Sequence, residues 1–310
     1  MTEFGFIDTI KALFSTLPDN GFEGIGDDCA VLPIGAEESL LFTADMLVED
    51  IHFTRASTSA FDLGHKSLAV NLSDVASMGG RPVATLLSLS LPKDLEPSWA
   101  EEFMKGYHTL SKQHSVALIG GDTTASTSQI TINVTAIGKT SNSQIKRRSD
   151  ARVGDIIMVT GQLGNSATGL RDIMEGRLTT PLADIHRLPT PRIEEGVWLG
   201  EQSYVGAMMD ISDGVASDLR HIMDRSGVGA HINIESLPTA HSAEVALCGG
   251  EDYELLFTVS QGHSDRLISL FRSKFSTPIT PIGVIIDGGD IEWFEHGKRL
   301  PIDLMGFRHF

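Results

Sequence analysis

Cysteine is nearly missing from this 310-residue chain, which has only Cys29 and Cys248. Two thiols cannot build a disulfide framework or a zinc site made of several cysteines, so each reads as a small buried hydrophobe. Bases are scarce as well: 24 Lys and Arg stand against 41 Asp and Glu, for a net charge of −17. That balance argues against nucleic acid as a partner, because its phosphates need a basic surface. An acidic protein can still bind a polyphosphate if cations sit between the two anionic surfaces. No apolar run approaches a membrane span. The opening MTEFGFIDTIKALF carries acids and has no basic segment ahead of an apolar one, so it does not read as a secretory signal. The expected location is the cytoplasm. There is no solenoid repeat and no low-complexity tract. No H-E-x-x-H, no H-R-D with D-F-G, no G-x-S-x-G elbow and no EF-hand loop occurs. Gly138-Lys139-Thr140 invites a P-loop reading, but the glycine required at position 133 is Asn133, and a polar linker follows Thr140.

What is present is an ordinary globular composition, 41% hydrophobic, over a length that fits two domains. The N-terminus reads as an amphipathic helix with Phe4, Ile7, Ile10, Leu13 and Phe14 on its buried side. Residues 29–34 and 40–45 read as a hairpin. Residues 62–80 read as a helix stopped by glycine, 83–91 as a strand, and Pro97 opens a helix to about Ser115. Residues 116–122 read as a strand running into a turn, and 129–138 as a half-buried strand alternating Ile130, Ile132, Val134 and Ala136. A polar, basic stretch over 139–155 marks the expected boundary, giving domains 1–145 and 146–310. The second half restarts with a strand at 155–161, then helices after Gly164 and from Pro191. A strand–turn–helix over 208–227 follows, then strands at 231–235, 253–260 and 281–286 around a helix near 263–275.

The chemistry lies in where the aspartates sit. Asp27 and Asp28 precede a strand, and Asp45 ends one. Asn71 and Asp74 share a helix face, Asp122 follows two glycines, and Asp210 and Asp213 flank a strand-to-helix turn. One such aspartate alone is often a turn former or N-cap. Converging at one edge, several of them repel by roughly 4 kcal/mol per pair at 4 Å and an effective dielectric near 20, so they require protons or cations. An all-oxygen donor set favours magnesium, calcium or manganese over zinc. Carboxylates, Mg²⁺ and substrate phosphate together point to phosphoryl transfer or phosphate hydrolysis.

In this order, GIGDDCAV, ADMLVEDIHF, LAVNLSDVASMGG, LIGGDTT, RRSDARVGD, DISDG, CGGEDYELLF and the terminal GFRHF resemble the thiamine-monophosphate kinase family, within the aminoimidazole-ribotide synthetase superfamily. The resemblance runs from about Phe4 to Phe310. It implies a two-domain PurM-like fold, α/β followed by α+β. In that fold the first domain pairs with its copy into a barrel-like dimeric core, and the active site lies in the interdomain cleft. It also implies ATP as co-substrate and several Mg²⁺ ions. The γ-phosphate passes directly and in line to thiamine monophosphate, the last step in making thiamine diphosphate.

Carried over residue by residue, metal binding falls on Asp28, Thr43, Asp45, Asp74, Asp122, Asp210 and Asp213, with Asp27 in support. Ala44 stands where Ser or Thr is frequent; a backbone ligand survives that change and a hydroxyl ligand does not. Nucleotide contacts fall on Gly121, Asp122, Arg148 and Ser212. Arg148 can grip a phosphate with two donors, and Ser212 can offer its hydroxyl and nearby N–H groups. Substrate contacts fall on His52, Glu251 and Phe307: Glu251 to accept from the aminopyrimidine amino group, and Phe307 to stack on a ring. Asp45, Asp74, Asp122, Arg148 and Asp213 form the expected catalytic set. Three alternatives stay open: another ATP-using enzyme of the superfamily, a two-metal phosphatase, and a divalent-ion-dependent binding protein.

Overall fold

The computed structural model describes residues 3–300, so Phe307 lies outside the described residues. The first half contains α1 (Glu3–Phe14), β1 (Ala30–Pro33), β2 (Glu38–Val48), α2 (Ala60–Ser77), β3 (Arg81–Pro92), α3 (Pro97–His114), β4 (Ala117–Ser126) and β5 (Thr131–Ser141). Its sheet has the order β1-β2-β5-β3-β4. All neighbours are antiparallel except β3 and β4, which run parallel through the α3 crossover. Ser59 caps α2 by accepting the Asp62 N–H at 3.1 Å. The α2 and α3 backbones meet through two glycines. A Cβ on Gly64 would fall 2.0 Å from the Phe103 carbonyl oxygen, and one on Gly106 would fall 1.9 Å from that of Phe61. Both helices cover one face of the sheet, over a core that includes Leu68, Leu72, Phe103, Ile130, Ile132 and Val134.

The second half contains a 3-10 turn at Arg148–Asp150, β6 (Ile156–Thr160), α4 (Asn165–Met174), α5 (Pro181–Arg187), α6 (Ile193–Gly200), β7 (Val205–Asp210) and α7 (Val215–Ser226). It continues with β8 (Gly229–Asn233), α8 (Ala243–Cys248), β9 (Leu255–Val259), α9 (Ser264–Lys274), β10 (Ile279–Ile286), β11 (Ile291–Glu295) and β12 (Lys298–Leu300). Its sheet has the order β12-β11-β8-β10-β6-β9-β7. The strand period of two sorts its side chains into two cores. Ile157 and Val159 face the core shared with α7 and α8, while Met158 faces the one shared with α6 and α9. The halves also share packing, because Ile193 of α6 is buried in the first half's core.

Four details differ from the sequence reading. Leu13 and Phe14 of α1 are 69% and 56% exposed rather than buried. Residues 120–122 form no turn: β4 runs through them to Ser126. The register shifts there, between Thr85 and Leu86 of β3, which draws the β3 backbone so close that a Cβ on Gly121 would sit 1.7 Å from the Leu87 carbonyl oxygen. The short elements α5, α8, β11 and β12 carried too little periodicity to be foreseen. Finally, the helix foreseen at Pro191 begins at Ile193. Among the described residues no helix is long and apolar enough to cross a membrane.

Candidate active site

The central element is α2. It is buried against the first sheet and against α6 and β7, so polar groups along it meet polar groups from three directions. Asp74 Oδ2 accepts the Thr43 hydroxyl of β2 at 2.5 Å. Asn71 Oδ1 accepts the Asp45 backbone N–H at 3.0 Å, and Asn71 is itself held by donating to the Ser67 carbonyl. Ser73 donates to Asp210 Oδ2 at the end of β7, at 2.5 Å. Ser77 donates to Asp28. Arg148 reaches the same carboxylate, with Nε 3.1 Å from Asp28 Oδ1 and Nη2 bonded to the same oxygen. Asp27 Oδ1 accepts the Arg148 backbone N–H at 2.7 Å, which anchors the 3-10 turn. Asp28, Thr43, Asp45, Asp74, Asp210 and Arg148 are thus gathered around one helix.

This gathering is electrostatically unbalanced. Burial pushes Asp45 up to about 6, with Asp28 adding repulsion. Asp210 rises to about 8, from burial and then Asp28. Asp74 is raised well above the carboxylate range by burial, then by Asp45, Asp210 and Asp28. Among the described residues no three His, Cys, Asp or Glu side chains are already arranged as a metal cage. Mg²⁺ does not require one, because it binds through one or two carboxylates and completes its octahedron with water and substrate phosphate. The hard oxygen donors and their surplus negative charge fit such a cation.

A cavity of about 860 Å³ opens beside the cluster and is lined from both halves of the chain. Asp45, Asp74, Ser212 and Asp213 form part of its wall, and His52, His186 and Glu251 form another part. Met46, Ile51, Leu170 and Met174 contribute apolar surface to the lining. His52 Nδ1 accepts the Val48 backbone N–H at 3.0 Å, so the ring carries its hydrogen on Nε2. Glu251 and Tyr253 both take positive φ, +63° and +50°. Their backbone N–H groups bond to the Ser212 and Ile211 carbonyls at 2.7 and 2.9 Å, which ties the 249–254 loop to the Asp213 turn. Left-handed backbone at non-glycine residues persists only where the surroundings hold it, and here these two hydrogen bonds do so.

Two expected site residues stand apart. Gly121 and Asp122 lie on β4, the exposed edge of the first sheet. Asp122 pairs with Ser88, Ser88 with Asn133, and Asn133 with Met46. Three strand spacings, about 14 Å, therefore separate Asp122 from β2 and the other carboxylates.

The structure also assembles residues that the motif reading passed over. Lys66 of α2, 2% exposed, pairs with Glu251 at 2.9 Å. His186 of α5 lies 3.4 Å from the Lys66 ammonium. Asp218, fully buried, accepts the Asp213 N–H at 3.2 Å. A lysine on the same helix face as Leu63 and Val70, three residues before it and four after, was the one visible signal for Lys66. His186 had none, since it meets its partners only through the tertiary fold.

This frame is that of a known class. Residues 26–140 match the N-terminal domain of AIR synthase related proteins, and residues 152–294 match their C-terminal domain. The thiamine-monophosphate kinase of Haemophilus influenzae is 39% identical, with 99% of this chain and 98% of that protein covered. A solved structure of AaThiL complexed with AMPPCP and TMP superposes with a TM-score of 0.86 at 35% identity, covering 100% of this chain and 97% of the other. The crystal structure of thiamine-monophosphate kinase from Stenotrophomonas maltophilia K279a gives 0.77 at 41% identity, covering 96% and 98%. The chain belongs to the thiamine-monophosphate kinase family.

Proposed function

We propose that this chain transfers the γ-phosphate of ATP directly to the phosphate of thiamine monophosphate, giving thiamine diphosphate and ADP in the cytoplasm. One observation carries the reading. Surplus buried carboxylates face a cavity lined from both halves, and a relative of the same fold holds AMPPCP and TMP. Asp28, Asp45, Asp74 and Asp210 would hold Mg²⁺, which when bound supplies the positive charge that lets two anionic phosphates approach.

The chain's own groups do the rest. The Asn71 bond fixes the Asp45 backbone, and the Thr43 bond orients Asp74, so both carboxylates are set before substrate arrives. Arg148, gripped by Asp28, keeps a cation beside the cluster for a phosphate to meet. Ser212 and the start of α7 offer hydroxyl and N–H donors to phosphate oxygens. Phosphate needs little activation as a nucleophile, so no side chain has to remove a proton and no phosphoenzyme forms. His52 and Glu251 bind the heteroaromatic end.

The active unit is a homodimer. Leu118 and Ile119 of β4 are 43% and 59% exposed beside Asp122. Pairing of two first sheets into a barrel-like core would cover this strand and bring Gly121 and Asp122 of the second copy towards the nucleotide. The test is an assay of purified protein with ATP and thiamine monophosphate, with and without Mg²⁺, following both products by chromatography. Mg²⁺-dependent formation of one thiamine diphosphate per ADP is expected. Phosphate release without ATP, or ADP formation only with another acceptor, would overturn the reading.

A further inference from the structure

The strongest unassigned feature is the buried Lys66–Glu251–His186 group. Lys66 lies in the interior of α2 and makes its one ion pair among the described residues with Glu251. It does not line the cavity, whereas Glu251 and His186 do. A lysine buried for stability alone would be a poor choice, since an apolar residue of similar size is usually as good or better. Its geometry instead dictates the state of its neighbours. An ammonium group has three hydrogens and no lone pair, so His186 Nε2 must accept from it at 3.4 Å. The imidazole hydrogen then sits on Nδ1, which lies 3.0 Å from Ser166 Oγ and 3.4 Å from Glu251 Oε2. Glu251 Oε1 faces the Lys66 ammonium at 2.9 Å. Both carboxylate oxygens thus face donors, while the side chain remains 26% exposed and lines the cavity. The strained backbone of Glu251, tied to Ser212, holds this aim.

We propose that Lys66 and His186 are positioning residues that keep Glu251 an acceptor-only carboxylate, and that this acceptor selects a substrate ring bearing an exocyclic amino group over the same ring bearing an oxo group. An amino group donates to the carboxylate. An oxo oxygen places lone pair against lone pair, and a site built for one hydrogen-bond partner strongly rejects the analogue lacking it. The inference rests on thiamine monophosphate being the acceptor.

The experiment compares kcat and KM for thiamine monophosphate and its oxo analogue in the wild type, in Lys66→Met and in Glu251→Gln. The wild type should prefer the amino ring by roughly tenfold to a hundredfold in kcat/KM, the range of a hydrogen bond to a charged acceptor. Lys66→Met should bring that preference towards unity through KM, with kcat for the amino substrate changed by less than about threefold. Glu251→Gln, which keeps the shape and can turn its amide NH₂ to the cavity, should shift the preference towards the oxo ring. If Lys66→Met does not fold, His186→Leu, which removes the other positioning group, is read in its place with the same expected loss of preference. Wild-type discrimination retained in the folded variants, or a loss in Lys66→Met confined to kcat, overturns the inference. A wild type that turns over the amino ring without preferring it overturns only this inference; a wild type that turns over neither ring overturns the proposed function as well.

Discussion

Asp45 and Glu251 line the same cavity and are both largely removed from water, yet burial leaves them in opposite states. Asp45 is pushed up to about 6, by burial and then Asp28. Glu251 meets the same desolvation, but the Lys66 ammonium and then His186 bring it below its usual range. The difference lies in the counter-charge. At Glu251 the chain supplies its own cation, within 2.9 Å. Among Asp45, Asp74 and Asp210 it supplies only Arg148, which is already gripped by Asp28. One part of the cavity is complete as folded. The other is left with surplus negative charge, which under the proposed function a cation and substrate phosphate would complete.

The comparison breaks most sharply at Asp74. Asp74→Asn should lower kcat on the order of a hundred- to a thousandfold, while the melting temperature of the metal-free protein stays level or rises, because a repelling buried carboxylate is gone. A large loss of both would mean that Asp74 is structural. The counterpart is Lys66→Met, which strands Glu251 and should cost on the order of 2 kcal/mol of stability in denaturant titration. If β4 forms the proposed dimer seam, Ile119→Arg should give a monomer in sedimentation and reduce phosphoryl transfer, while ring binding near Glu251, followed by calorimetry, changes little. Unchanged turnover by a monomer would remove the second copy from the acid cluster.

The smallest effect is on pH. Asp45 and Asp210 titrate near 6 and 8 in the folded chain and near 4 when unfolded, so between those values the folded state holds more protons. As far as these groups govern it, metal-free stability should therefore be greatest below about pH 4 and fall as pH rises from there to 8, most steeply between 4 and 6 where both groups contribute. Added Mg²⁺ should raise the melting temperature more at pH 8 than at pH 5. Equal gains at both would show that the carboxylates are not the metal's ligands.

Much of the site was legible from residue types. Asp28, Asp45, Asp74, Asp210 and Asp213 sit at strand ends, turns and a helix face, where glycine and polar neighbours mark them out. Asp122 carried the same signal, yet within one chain it lies three strands from β2, because register and strand order are not written in local pattern. The β4 path through Gly120 and Gly121 was likewise misread as a turn. A glycine pair looks the same whether it bends the chain or makes room for a neighbouring backbone, and only the Leu87 carbonyl shows which applies.

The sequence by itself determined the chemistry available here: oxygen donors in surplus, fewer bases than acids, almost no cysteine, and an ordered set of acid-bearing turns. Those are properties of residue type and short spacing, which composition and periodicity transmit directly. The tertiary structure alone decided which acids would be strained and which relieved. A carboxylate's state depends on the water it loses and the cation it gains. Lys66 reaches Glu251, and Ser73 reaches Asp210, only because α2 is packed between the two sheets.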